Sequence, residues 1–417
     1  MRTCLHAFLL LCCWLAGAGT WSQARAQESA QAQVQADEAR RQVLVMLQLP
    51  KAHYRPDGSY AGTYGEGVGR QSRRHVAQAL ARAHGLEMLS EWAMPLAGVD
   101  CFVMRLPEGD PRSASELAQK VGEDHRVAWA QAVGLYEAQG STSVSQGEPL
   151  YKAQPSAQQW QLAELHKHAT GRGVRVAVVD SGVETRHPDL AGQVAFSENF
   201  VDDRPLQAEA HGTAVASIIA ARADNGAGIV GVAPQARLLA LRACWQAPRD
   251  QTLCTSLGLA KALHAAIQHG AHIINMSLGG PDDRLLALLL DQAQARGATI
   301  VAAQPLRGGP FPASHRGVLV VGSAPPAPEG TLFAPGRDVP SAAPGGGWTV
   351  VTGSSFAAAH ASGLLALVRE LDAKVPPMDG VKATLITDKG RIDGCATLAH
   401  HAAGRGPVCL ALGQTSD

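Results

Sequence analysis

Two rhythms of apolar residues divide the chain. In its first part QVLVMLQL (42–49) reads as a strand, and RQSRRHVAQALARAHG (70–85) carries an apolar stripe at helical spacing. LEMLSEWAM (86–94) and CFVMRLPEG (101–109) follow as strands, SASELAQKVGED (113–124) as a helix and VAWAQAVGLYEA (127–138) as a last strand. The order β-α-β-β-α-β over 42–138 predicts a small α+β, ferredoxin-like domain of the split βαβ kind. From residue 172 the rhythm changes. VRVAVVD, HGTAVASIIAAR, ARLLALRA, SLGLAKALHAAIQHG, HIINMSL, DRLLALLLDQAQARG, ATIVAA, GVLVVGS and SFAAAHASGLLALVREL alternate between short apolar runs and longer amphipathic ones. That alternation predicts an α/β domain over 160–371, with a mostly parallel sheet, helices on both faces and active groups at the strands' carboxyl ends.

The remaining stretches lack either rhythm. Residues 27–41 are polar and read as a loose leader, and 139–159, rich in Ser, Gly and Gln, as an exposed linker open to proteolysis. Residues 372–417 form a C-terminal extension of weaker pattern, whose cysteine pair hints at a small hairpin or loop.

Composition narrows the function. An apolar share of 46% against 17% charged residues suits well-buried cores, and a formal net charge of zero leaves no electrostatic footprint for nucleic acid or an anionic membrane. Neither is expected as a partner, and a monomer is. The first residues, MRTCLHAFLLLCCWLAGAGTWSQARAQES, combine Arg2, an apolar run over 7–18 and the small-x-small sequence Ala24-Arg25-Ala26. They predict a signal peptide over 1–26, because the apolar run falls short of the roughly 18 residues a membrane span needs. No later segment is long and apolar enough to span, so the mature chain is expected to be secreted or periplasmic.

Cysteine placement agrees with export. Cys4, Cys12 and Cys13 leave with the signal, Cys101 stands alone, and Cys244 with Cys254 and Cys395 with Cys409 form two close pairs. In an oxidising compartment each pair can close a short loop, worth about 2–3 kcal/mol if unstrained. Metal ligation is the rival use, but no CxxC or neighbouring His pair sets up a tetrahedral site.

The candidate chemistry starts from GSSFAAAHASG (353–363), which places two serines before a run of alanines. Either Ser354 or Ser355 can serve as a helix N-cap, or one of them as a nucleophile. Asp180 ends the strand VRVAVVD, and His211 opens HGTAVASIIA. Each alone has an ordinary use in a turn or a polar loop. Together, in the order Asp…His…Ser, they supply a nucleophile, a base and a group to orient that base.

VAVVDSGVETRHPDL, HGTAVASIIA, INMSLGG and GSSFAAAHASG resemble the aspartate, histidine, substrate-edge and serine motifs of the subtilisin-like serine proteases, in matching order across about 200 residues. The resemblance implies an endopeptidase in which Asp180 orients His211, His211 takes the proton of Ser355, and Ser355 attacks the peptide carbonyl. It further implies that Ser277-Leu278-Gly279 offers a backbone edge to an extended substrate. The 42–138 unit resembles the family's propeptide, which blocks the cleft until it is cut away within the linker; an unrelated ferredoxin-like binding domain is the alternative. An α/β-hydrolase is the rival serine-enzyme fold. It is disfavoured because Gly353-Ser354-Ser355-Phe356-Ala357 lacks the last Gly of G-x-S-x-G and because the hydrolase order is Ser…Asp…His.

One departure from the family matters. Where relatives read V-A-A-A-G-N-x-G, this chain has Val301-Ala302-Ala303-Gln304-Pro305-Leu306-Arg307-Gly308, so Leu306 stands where an Asn would donate a hydrogen bond to the developing oxyanion. Gln304, two residues earlier, is the one nearby amide able to stand in. Lesser departures are Ser354 for the usual Thr and Ala359 for the usual Pro. The expected protein is therefore a secreted endopeptidase of reduced or specialised activity, made as a zymogen, the alternative being an impaired relative that binds peptides or a partner protein. No cofactor is expected; relatives often bind calcium, but no ligand-rich Asp/Glu loop marks a site.

Overall fold

The computed structural model describes residues 33–49, 64–138, 141–144, 150–248, 251–306, 309–372, 384–402 and 408–409. The expected signal peptide, the leader up to residue 32, linker residues 139–140 and 145–149, and 373–383, 403–407 and 410–417 of the extension lie outside them. Residues 33–40, expected as loose leader, form a helix. Its buried Ala36 packs against Trp245 and Ala247, an apolar contact that the surrounding polar residues conceal in the sequence.

Strands β1 (Gln42–Gln48), β2 (Glu87–Met94), β3 (Val99–Arg105) and β4 (Trp129–Ala132) make an antiparallel sheet in the order β2-β3-β1-β4. Helices α1 (Tyr64–His84) and α2 (Ala114–Gly122) accompany it, with Leu80, Phe102, Met104 and Leu117 in a shared core. A capping box starts α2, Ser113 and Glu116 each satisfying the other's backbone N–H. The opposite face, with Met94, Val99, Cys101 and Val103, packs against the second domain.

The second domain is built on a nine-stranded sheet. It contains β7 (Arg175–Asp180), β8 (Val194–Asn199), β9 (Arg237–Arg242), β12 (Ile273–Met276), β14 (Thr299–Ala303), β15 (Leu319–Gly322) and β16 (Leu332–Phe333), which run parallel in the order β16-β15-β14-β12-β7-β9-β8. Alternation along β7 feeds two cores. Val176 and Val178 join Ile218 of α3 (Ala210–Ala220) and Ala358 and Leu365 of α6 (Ser354–Leu371). Ala177 and Val179 join Leu259 and Leu263 of α4 (Ser256–Gln268) and Leu286 and Leu289 of α5 (Arg284–Ala295). Both faces of the parallel sheet are thereby covered, as its strands' near-continuous apolar runs require.

β19 (Thr387–Asp388) and β20 (Arg391–Ile392) form a short hairpin whose β20 pairs in parallel with β16, and α7 (Gly394–His401) packs on α6. A Cys395–Cys409 disulfide ties this region together, and Trp160 Nε1 donates to the Ile392 carbonyl (3.1 Å). The described part of the C-terminal extension thus continues the main sheet.

The single strand expected over 127–138 is broken in two. β4 stays in the first sheet, and the chain then turns away at Gly134, whose N–H donates to Ser256 Oγ at 2.7 Å. β5 (Leu135–Ala138) enters a separate sheet in the order β10-β11-β5-β13, made with β10 (Cys244–Ala247), β11 (Gln251–Thr255) and β13 (Leu278–Gly279). β6 (Ser141–Val144) then pairs with β18 (Gly347–Thr352), itself paired with β17 (Val339–Ala343).

Candidate active site

Asp180 closes β7, so the parallel sheet delivers its carboxylate to the edge where β9, β12 and β14 also end. It is 2% exposed, and its Oδ1 accepts from the Ser181 N–H (2.6 Å) and from His211 Nδ1 (2.8 Å). His211 is the second residue of α3 and is also buried. Gly212 lets the helix begin there: a Cβ on it would lie 2.2 Å from the Ser181 carbonyl, while its N–H donates to Ser181 Oγ (3.0 Å). With Nδ1 engaged by a carboxylate, the proton sits on Nδ1 and Nε2 presents a lone pair. That Nε2 is buried and has no hydrogen-bond partner among the described residues.

Ser355 stands in the first turn of α6, next to a residue that touches the imidazole. The residue after it, Phe356, packs its ring on the His211 imidazole with centroids 5.5 Å apart. Neither serine caps the helix; the N-cap is Gly353, without a side-chain capping bond. Ser354 Oγ donates to the Gln304 carbonyl (2.8 Å) and Ser355 Oγ to the Ser277 carbonyl (3.1 Å). In this state the Ser355 hydroxyl faces Ser277, and a rotation about its Cα–Cβ bond turns it elsewhere. His360, inside the same motif, is no rival base. Its Nδ1 bonds the Phe356 carbonyl (2.8 Å), and burial pushes its pKa down to about 4, so it stays neutral.

A polar brace beneath the serine escaped the sequence reading. Asn275 Nδ2 donates to Ser277 Oγ (2.8 Å), Ser277 Oγ to the Ser355 carbonyl (3.0 Å), and Ser362 Oγ to Asn275 Oδ1 (2.9 Å). All are fully buried, so the chain of bonds fixes the start of α6 against the ends of the central strands. A second brace stands behind His211. Glu209 accepts from both Arg242 Nε (2.9 Å) and Nη2 (2.8 Å), a buried bidentate pair that also takes the Gly182 N–H. In the sequence these residues look like solvated charges; only their partners far along the chain reveal them.

Of the oxyanion candidates, Leu306 is 67% exposed and its side chain carries no donor. Gln304 is 5% exposed; its Nε2 donates to the Pro326 carbonyl (3.2 Å) and its Oε1 sits against Gly322. The amide is thus committed to the wall between β14 and the loop after β15.

The edge Leu278–Gly279 is occupied by the chain itself. Leu278 pairs with Ala138 and Gly279 with Glu137, while on the other side of β5 Cys254 pairs with Tyr136. A disulfide joins Cys254 to Cys244 across the β10–β11 hairpin. Tyr136 is 1% exposed, its ring lying where a Cβ on Gly280 would be, 2.0 Å from Cδ1, and its hydroxyl donates to the Pro281 carbonyl (3.1 Å). β6 begins opposite Thr352, three residues before Ser355. The polypeptide therefore approaches Ser355 along one edge as β5 and departs along another as β6.

Among the described residues no group of three or more His, Cys, Asp and Glu is placed to hold a metal ion. The fully buried Asp189 is filled by N–H donors instead: Trp348 Nε1 (2.6 Å), Asn225 Nδ2 (2.9 Å) and the Ile229 backbone (3.1 Å). Removing one donor from such a carboxylate costs about 1.5–3 kcal/mol. Trp348→Phe is accordingly expected to lower the urea midpoint without changing the slope of unfolding, which equilibrium denaturation would check.

A model of the subtilase family matches residues 171–403, more than half of the chain. The major intracellular serine protease of Bacillus subtilis (strain 168) is 34% identical over 231 residues, covering 49% of this chain and 71% of that protein. Thermitase of Thermoactinomyces vulgaris is 30% identical over 256 residues, 58% of this chain and 87% of its own. In fold, the crystal structure of fervidolysin from Fervidobacterium pennivorans, a keratinolytic enzyme related to subtilisin, superposes with a TM-score of 0.62 at 20% identity, over 88% of this chain and 61% of that one. With the aspartate, histidine and serine motifs set on one subtilisin-like sheet and a family match across most of that domain, the chain belongs to the subtilase family.

Proposed function

We propose that the protein is a secreted serine endopeptidase, made as a zymogen, that hydrolyses peptide bonds through Asp180, His211 and Ser355. The observation that carries the reading is the course of the chain past Ser355: β5, paired on Leu278–Gly279, and β6, paired on Thr352, together have the form of a bound polypeptide. The 42–138 domain is then the chain's own propeptide, and its β5 blocks the cleft. Export follows from the leader and from two disulfides outside a reducing compartment. No helix among the described residues is long and apolar enough to cross a membrane. The working form is a monomer, its partners are peptide or protein substrates, and no step needs a cofactor or calcium.

In the reaction Ser355 Oγ turns from the Ser277 carbonyl and attacks the scissile carbonyl carbon, passing its proton to His211 Nε2. Asp180, bonded to Nδ1–H, holds the ring in that tautomer and stabilises the imidazolium. His211 returns the proton to the leaving amine, and water then hydrolyses the acyl-enzyme by the same steps. The oxyanion is received by the Ser355 backbone N–H, one of the first-turn amides that a helix leaves unpaired. Leu306 adds no second donor. That single fact favours the other reading, a subtilase-fold protein that holds peptides in the cleft and cleaves them poorly or not at all.

A fluorophosphonate probe on the purified chain decides between the two. The peptidase is expected to be labelled at Ser355 and to appear as two fragments cut between Ala138 and Ser141, read by intact mass. An unlabelled, uncut chain leaves the peptide-binding relative as the correct reading.

A further inference from the structure

Where the first sheet docks on α4 and α5 the contact is largely apolar, and one buried histidine of α4 joins it. Met94, Val99, Cys101 and Val103 pack with Leu259, Leu263, Leu285 and Leu286 in one cluster. At its margin His264 of α4 meets the edge of the Trp92 ring, centroids 5.2 Å apart. His264 is 6% exposed, and its Nδ1 is buried with no hydrogen-bond partner among the described residues.

Among the described residues, the charged groups of the elements packed there that bear on it are cationic or already engaged. Lys261, one turn earlier on α4, lies 5.8 Å from the Trp92 ring. On β2, Glu91 is turned to Arg70 and Arg74 (3.5 and 2.9 Å); on β3, Asp100 is turned to Arg73 (2.7 Å). Ahead of α5, Asp283 caps the Leu286 N–H (3.0 Å). No carboxylate among the described residues makes an ion pair with His264, so a proton placed on this ring gains a charge with nothing to balance it.

We infer that His264 and Trp92 form an acid-sensitive latch, in which protonation of His264 loosens the 42–138 domain from α4 and so unblocks the cleft. This rests on the reading of β5 as a blocking strand and deepens it into a means of control. The sign follows from linkage. Docked, burial lowers the His264 pKa; undocked, the ring returns to the ordinary value of about 6.5. Docking is therefore fully stable above that value and weakens as the pH falls through it.

Cys101 supplies the readout, because it is fully buried in the same interface and is the unpaired cysteine of the described residues. The full chain carrying Ser355→Ala is labelled with dithiodipyridine from about pH 7.5 to about pH 5, the two sides of an ordinary imidazole titration. Modification is followed by mass on the peptide containing Cys101 and corrected for the probe's reaction with free cysteine. The labelling rate is expected to rise severalfold in acid with unchanged far-UV circular dichroism, and to stay flat when His264→Phe is added. His264→Gln replaces that variant if it fails to fold, and His125→Phe, at a side chain 91% exposed, should keep the acid response. A flat profile with His264 present, an equal rise without it, or a rise that accompanies loss of helicity would each overturn the latch. Because thiol labelling needs no catalysis, a chain that is neither labelled by a fluorophosphonate nor cut refutes the peptidase reading and leaves this result standing.

Discussion

Replacing Ser355 by alanine is expected to leave the chain full-length, unlabelled by a fluorophosphonate and slower in peptide hydrolysis by a factor on the order of 10⁶ in kcat. The magnitude is carried over from subtilisin, the measured case, where the nucleophile and its base act as a unit and losing either costs about as much as losing both. Folding should be nearly untouched. Among the described residues Ser355 Oγ bonds the Ser277 carbonyl alone, worth about 1 kcal/mol, and the Asn275–Ser277–Ser362 brace acts on the Ser355 backbone, which alanine keeps. An unaltered unfolding midpoint with abolished processing would assign the cut to the chain's own serine. Processing at the normal rate would mean that another protease makes it.

The parts of this molecule that are legible in its sequence are those whose signal is local. β7 could be read because residues 176–179 of VRVAVVD are continuously apolar, as in a strand covered on both faces, and the structure sends alternate residues of it into two cores. Asp180 and His211 could be read because a strand's end and a helix's start each leave a mark in the chain, and their contact at 2.8 Å then follows from parallel strands ending on one edge. The break at Gly134 left no such mark. Residues 127–138 carry a continuous strand pattern, and what divides them is a partner elsewhere: Ser256 Oγ for the Gly134 N–H, and the Leu278–Gly279 edge for Glu137 and Ala138. The helix over 33–40 was hidden likewise, since its buried Ala36 depends on Trp245 and its buried Ala39 on the core beneath the first sheet.

The site divides along the same line. Motif residues announce the chemistry, whereas the residues that hold them do not. Asn275 sits inside an apolar strand, where an amide reads as an oddity until Ser277 and Ser362 are seen to satisfy it. Glu209 and Arg242 each pass for surface charge, and become a buried pair only when the loop before His211 is laid against β9. Gln304 shows the limit from the other side. Its position two residues from Leu306 suggests a substitute oxyanion donor, but side-chain direction is set by the pocket around Gly322 and Pro326, which the spacing of residues does not contain.

That assignment makes Leu306→Asn the second large effect. An asparagine there is expected to raise kcat by a factor on the order of 10–10³, the reverse of what deleting the subtilisin amide costs. The gain should fall on kcat and leave KM nearly unchanged, because the new bond forms with the charged oxygen of the transition state and hardly at all with the neutral carbonyl. Leu306 is 67% exposed, so no core contact is lost by the exchange. Absence of any gain would show that a donor already fills the position. Gln304→Ala then identifies it: if the Gln304 amide stays on Pro326 during turnover, this variant loses stability and keeps its kcat, and if the amide swings to the oxyanion, kcat falls. A gain with Leu306→Asn and an unmoved kcat with Gln304→Ala together would establish that this subtilase works with a hole one donor short.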